Sequence, residues 1–231
     1  MFKIMCIFLI LNIIAIINCM VTDCAVASVN FSHNMVTYRW THPTGNDGSV
    51  TLELGVYFIR GVDEMQRTYS GKNHTYRKFV AISQFLFKDP YCDDLFFIAQ
   101  KLRQLARQHN LNPVNVVLTF VQNLPYAYDM GTYQRYAVET LIDGTGDCSD
   151  KSVLLAGLLW KLGYDWVFIH FPKHLAVGIW CRAGCGGTYY LHHGRTYYYC
   201  ETTFPGWEIG HIPSKYCQSN VNIFSPFVIP R

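Results

Sequence analysis

"GTGDCSDKSVLLAGLLWKLGY", residues 144–164, holds the reading that decides the fold. From Val153 to Leu162 the chain is apolar nearly all round, which predicts a helix buried at the centre of the molecule. Asp147 stands where an N-cap belongs, with Asp150 three residues on in the capping-box position, where Glu or Gln is more usual. Gly163 ends the helix. Cys148 therefore falls in the first turn, where unpaired N–H groups and the positive end of the helix dipole favour a thiolate, and Gly144 and Gly146 allow other backbone to approach closely. A thiolate beside an imidazole is a nucleophile at neutral pH. The bland alternatives are a small core residue or one half of a disulfide.

The rest of the chain bounds that choice. At 231 residues, half of them hydrophobic and 16% aromatic, it has the length and composition of one packed domain, with room for a small appendage. The net charge of +3 with no dense Lys/Arg run argues against nucleic acid as a main partner. Lys3 is the only charge in residues 1–22, and Ile4 to Ile17 is a 14-residue apolar run broken only by Asn12. That length suits a secretory leader and is short for a membrane span. Cleavage near Ala25 to Ala27, lipidation at Cys19 and an uncleaved anchor over residues 4–22 all place the body outside the cytoplasm. The membrane is then touched only through this segment.

With Cys6 and Cys19 in or beside the leader and Cys148 set apart, Cys24, Cys92, Cys181, Cys185, Cys200 and Cys217 remain, enough for three disulfides of open connectivity. Cys181, Cys185 and Cys200 with His192 and His193 also have the ligand types of a zinc site, but no second tight pair fixes a tetrahedron. Disulfides are preferred, and no metal or cofactor is expected.

Residues 30–112 read as an N-terminal β-hairpin and helical extension. Strands are expected over 35–82: in "SVTLELGVYFI" Val50, Leu52, Leu54, Val56 and Phe58 share one face, after a turn at "PTGNDGS". From Asp93 the period becomes helical, with Leu95, Ile98, Leu102 and Leu105 on one side. A second helix starts at "NPVNVV", with Asn112 as cap and Pro113 in first position, and stops before Pro125. Residues 125–146 read as a long functional connection. After the central helix come strand-like segments 174–181, 188–193 and 196–203, with a tight turn at "HGR". Residues 213–231 read as a C-terminal tail.

His174 opens the first of these segments 26 residues after Cys148, and Glu201 lies 27 residues further on in the third. Nucleophile on a helix start, then imidazole, then carboxylate is the chain order of a thiol triad. These blocks, with "HLAVGIW", "YYYCETT" and "GWEIG", resemble the transglutaminase-like superfamily of papain-type thiol enzymes over about residues 115–212. The resemblance implies Cys148 as nucleophile, His174 as base and Glu201 as the orienting acid. Asp in a "DPT"-like setting is the commoner acid, so Glu in "ETT" is a departure, of a prokaryotic-looking kind.

The implied fold is α+β: a papain-like, transglutaminase-like core at 113–212, with the nucleophile at the N-terminus of a central helix packed on an antiparallel sheet. The implied function is a secreted or surface-anchored cysteine hydrolase that cleaves an amide or isopeptide bond through a thioester. Crosslinking acyl transfer is the alternative, and a non-catalytic binding module on the same fold stands third. The substrate is a peptide or protein, cell-wall peptide among the candidates, and a monomer is expected.

Such a triad constrains the sheet. Segment 196–203 must lie antiparallel beside 174–181, with 188–193 on its far side, to bring Glu201 to Nδ1 of His174. The oxyanion site would combine the Cys148 N–H with a side-chain donor. Gln122, Tyr126 and Tyr133 lie suitably upstream, although each reads first as packing or loop structure. Asp150 reads as a capping and anchoring residue. Trp207 either walls the cleft or packs under a loop.

Overall fold

Strict alternation builds the N-terminal sheet. Strands β1 (Ser28–Ser32), β2 (Met35–Gly45) and β3 (Gly48–Tyr57) pair antiparallel in that order. The structure is a computed structural model, which describes residues 28–32, 35–45, 48–57, 92–128, 134–182 and 184–225. Register pairs Val36 with Val56, Tyr38 with Leu54 and Trp40 with Leu52, so these six side chains bury one face. Arg39 and Glu53 pair on the exposed face. The leader and its alternative processing sites, Cys24, the strands expected after Tyr57 and Tyr133 lie outside the described residues.

Helix α1 (Cys92–Gln108) buries Leu95, Ile98 and Leu102, and carries Asp93 and Asp94 at its positive end. Helix α2 (Pro113–Asn123) starts as its sequence predicts, with the Asn112 side chain accepting from the Val114 N–H at 2.8 Å. The connection at 125–146 is more ordered than its composition predicts, because it contains helix α3 (Ala137–Asp143). Its start was hidden because Tyr136 occupies the cap position. There the Tyr136 N–H donates to the Glu139 carboxylate at 2.8 Å in place of a Ser, Thr or Asp cap.

Helix α4 (Cys148–Lys161) is capped as expected. The Asp147 carboxylate accepts from the N–H groups of Ser149 (2.8 Å) and Asp150 (3.0 Å), and the Asp147 N–H donates to Asp150 at 3.2 Å. Every residue from Ser149 to Leu159 is buried.

Strands β4 (Trp166–Phe171), β5 (His174–Trp180), β6 (Tyr189–His192), β7 (Arg195–Cys200) and β8 (Asn222–Phe224) form a second sheet in the order β6-β7-β5-β4-β8. The order around His174 is the one a triad requires: β7 runs antiparallel beside β5, pairing Val177 with Cys200 and Trp180 with Tyr197, and β6 lies beyond β7. The β6–β7 turn puts His193 (φ 47°) and Gly194 (φ 75°) in the left-handed region, as a two-residue hairpin turn demands.

Two strands are additions to the sequence reading. β4 is buried on both faces and apolar at every position but His170, so it shows no alternation. β8 lies in the segment expected as a tail, yet it pairs with β4 and extends the sheet. β7 ends at Cys200, so Glu201 sits just past the ladder and not within it.

The molecule is α+β. On one face of the five-stranded sheet the helices and the N-terminal hairpin share a single core, into which the Tyr38 hydroxyl donates to the Leu141 carbonyl at 3.0 Å. On the other face Ile212, Tyr216, Val221 and Ile223 cover Val167, Ile169, Phe171 and Tyr199. Cys181 and Cys185 form a disulfide with a Cα–Cα distance of 5.8 Å, which leaves neither sulfur free to ligate zinc. Cys200 and Cys217 are free thiols, one sealed in the core and the other exposed, so they do not join the disulfide set expected from the cysteine count. Among the described residues no helix is long and apolar enough to cross a membrane.

Candidate active site

The first turn of α4 is fastened on three sides by three consecutive residues. Asp150 accepts from the Gln134 amide (2.9 Å), the Arg135 N–H (3.1 Å) and the Arg135 guanidinium (2.8 Å), which ties the turn to the segment before α3. The Lys151 ammonium, fully buried, donates to the carbonyls of Gln122 (3.1 Å), Leu124 (2.7 Å) and Thr203 (3.0 Å). The Ser152 hydroxyl donates to the Leu175 carbonyl at 2.9 Å, one residue after His174. Close approach at Gly146 completes the setting, since a Cβ there would stand 2.8 Å from that of Asp150. Cys148, half-buried at the head of the helix, is thereby fixed relative to both β5 and the segment after β7.

His174 and Glu201 come together as the triad order predicts. Both are buried, and His174 Nε2 lies 3.2 Å from Glu201 Oε2. The ring nitrogen differs from the expected Nδ1. The acid lies beyond the end of β7 and meets the tip of the imidazole, and the Cys148 thiol stands near enough to the ring to act on its charge. Every oxygen of the acid is engaged. Oε1 accepts from the N–H groups of Thr202 and Thr203, each at 3.0 Å, and from the Thr203 hydroxyl at 2.7 Å. Oε2 accepts from the Tyr199 hydroxyl at 2.6 Å.

The charges follow from these contacts. Burial alone would push the His174 imidazole down, but the nearby Cys148 thiol and the Glu201 carboxylate outweigh it and raise it to about 9. Burial would likewise raise Glu201, but His174, Tyr199 and Thr203 outweigh it and hold the carboxyl at about 2. Burial pushes Lys151 down to about 7, opposed by the negative charge of Glu201. Its three carbonyl partners also favour the ammonium, because a neutral amine has only two N–H bonds to donate.

Of the two oxyanion candidates among the described residues, Gln122 and Tyr126, it is Tyr126 that stands beside Cys148. Residues 125–127 are stitched to Gly146 by the Gly146 N–H to Pro125 carbonyl bond (3.3 Å) and the Ala127 N–H to Gly146 carbonyl bond (3.1 Å). Burial together with the nearby Cys148 and Asp147 charges raises the Tyr126 hydroxyl to about 12, so it stays protonated. Its ring stacks on exposed Phe204 with centroids 5.7 Å apart. Gln122 is committed elsewhere. Both its amide hydrogens are spent on the carbonyls of Glu201 (2.8 Å) and Trp207 (2.7 Å), which pins the acid's loop. Half-buried Trp207 lines a groove of about 740 Å³ with Thr188, Gly206, Gly210 and His211.

Sequence reasoning passed over Lys151, Tyr199 and Tyr216. A lysine inside a helix apolar nearly all round was a signal for the first. Tyr199 lay within an all-tyrosine run and Tyr216 within the expected tail, so neither carried one. Among the described residues no group of three His, Cys, Asp or Glu side chains is placed to hold a metal ion. The chain matches no protein-family model, no curated protein and no solved structure.

Proposed function

We propose that this protein is a thiol hydrolase of the transglutaminase-like, papain-type kind, cleaving an amide or isopeptide bond in a peptide or protein through a thioester. The observation that carries the reading is Cys148 at the head of a buried helix, close to an imidazole whose Nε2 lies 3.2 Å from the Glu201 carboxylate. The disulfide between Cys181 and Cys185 supports an oxidising, extracytoplasmic setting.

In this mechanism the Cys148 thiolate attacks the carbonyl carbon, and the oxyanion is met by the Cys148 N–H and the Tyr126 hydroxyl. The S–C bond forms, the C–N bond breaks, and the His174 imidazolium gives its proton to the leaving amine. Water then attacks the thioester and passes a proton to His174. The C–S bond breaks, and the carboxylic acid leaves.

The test is a screen of the purified chain against protein substrates and cell-wall peptides, with mass spectrometry of a glutamine peptide with and without an added amine. Release of the free acid in both arms supports hydrolysis, an amine adduct assigns acyl transfer, and no turnover with any substrate counts against an enzyme. Under reducing conditions iodoacetamide should label Cys148 ahead of Cys217, although Cys217 is the more exposed. Burial raises Cys200 to about 12 and keeps it inert. Faster labelling of Cys217 overturns the reading.

A pH dependence follows from the ion pair. The imidazolium serves as acid only while protonated, so kcat/KM should fall as pH rises through about 9. Glu201→Gln removes a negative charge that raises the imidazole, so the alkaline limb should move to lower pH. A limb that stays near 9 in that variant removes Glu201 from the triad. The same pair contributes to stability. The His174 share is whole below its ordinary 6.5 and is lost as pH rises through about 9. The Glu201 share is whole above its ordinary 4.5 and is lost as pH falls toward 2.

A further inference from the structure

We propose that Tyr216 is a positioning residue for His174: the C-terminal segment crosses the outer face of the sheet and lays the Tyr216 ring on the imidazole, fixing the plane in which it serves both Cys148 and Glu201. The proposal rests on the thiol-enzyme reading and adds to it a segment that lies beyond the family-like blocks.

The geometry is a parallel stack. The two ring centroids are 4.5 Å apart with 4° between the planes. Tyr216 closes the 3₁₀ turn Ser214–Tyr216, where its N–H donates to the Pro213 carbonyl at 2.9 Å, and its ring also packs 5.0 Å from Phe171. The segment is held on both sides of that turn, by Ile212 before it and by Val221 and Ile223 after it in the outer core, and by the pairing of β8 with β4. The sheet therefore fixes where Tyr216 stands.

Such a stack supplies what hydrogen bonds alone do not. Rotation of an imidazole about its Cβ–Cγ bond meets only broad minima, so a ring held merely at its two nitrogens can rock out of plane. A flat wall on one face stops the rocking. The negative face of the phenol ring also favours the imidazolium over the neutral ring, and its cover excludes water from the His174–Glu201 pair. The titratable groups facing His174 are Cys148 from α4, Tyr199 from β7, Glu201 just beyond it and Tyr216 itself, with Phe171 of β4 at 6.0 Å. The Lys215 ammonium lies 4.7 Å from the Tyr216 centroid.

The test reads Cys148 alkylation by iodoacetamide in the full chain across neutral and alkaline pH, and so needs no identified substrate. Tyr216→Leu and Tyr216→Met keep an apolar side chain for the outer core but lose the flat face, whereas Tyr216→Phe keeps the face. Both aliphatic variants should react roughly tenfold or more slowly at neutral pH, the scale of a misplaced catalytic group, with the alkaline break moved to lower pH. Tyr216→Phe should retain the wild-type profile. Aliphatic variants that superimpose on wild type overturn the proposal, as does a Tyr216→Phe loss equal to theirs, which would assign the effect to the hydroxyl. If wild-type Cys148 reacts no faster than in the urea-unfolded chain, the thiol-enzyme reading itself fails, a result distinct from either of these.

Discussion

Cys148→Ala should remove turnover by at least ~10³-fold, the scale for deleting a nucleophile that works as a unit with its base, and leave the fold in place. The two halves of this expectation have separate causes. Alanine is the best helix former and fits sterically at a half-buried first-turn position. The cap that starts α4 comes from Asp147 and Asp150, so the cysteine contributes nothing to it. The Cys148 thiol, by contrast, has no substitute within reach among the described residues: Cys200 is sealed in the core, and the Ser149 hydroxyl is spent on Asp147 at 2.7 Å. The measurement is turnover of a peptide found in the screen, beside a thermal melt followed by circular dichroism. Turnover retained by a variant free of contaminating enzyme ends the assignment of Cys148 as nucleophile, and a collapsed melt shows that the thiol is structural.

Lys151→Met should cost stability on the order of 4 kcal/mol, within the range for removing one partner from a buried charged contact. Methionine matches the length and fills the volume, so the loss isolates the hydrogen bonds. Three buried carbonyls, those of Gln122, Leu124 and Thr203, would lose their donor together. Those carbonyls belong to the end of α2 and to the segment just past Glu201, so the variant should also loosen the acid and slow Cys148 alkylation. Urea unfolding of both proteins checks the first claim. A change below about 1 kcal/mol, the worth of one ordinary hydrogen bond, would show that water satisfies the carbonyls and that Lys151 is no anchor.

Both variants lie within one hexapeptide, "DCSDKS", and they mark how far the sequence could be read. The cap, the buried helix and the cysteine at its head are local matters, set by residues within four positions of one another, so Asp147, Asp150 and the apolar run disclosed them. The hairpin alternation from Val50 to Val56 and the Asn112–Pro113 helix start are local in the same sense. The strand order was legible for a different reason. Supposing a triad, hydrogen-bond reach left only one arrangement of the segments after α4, and β7 beside β5 meets it. Where local signals were weak the reading fell short: α3 starts on a tyrosine, β4 has no period because both its faces are buried, and β8 is three residues long.

The sequence by itself determined the α+β class, the central helix and the three residues that a thiol triad would use, because caps, periodicity and chain order are properties of neighbours. Only the tertiary structure decided which imidazole nitrogen meets Glu201, that Lys151 joins α4 to two distant carbonyl clusters, and that Tyr216 lies flat on His174. Each of these depends on where separate segments stop relative to one another across the sheet. That is fixed by packing in three dimensions and leaves no spacing along the chain to read.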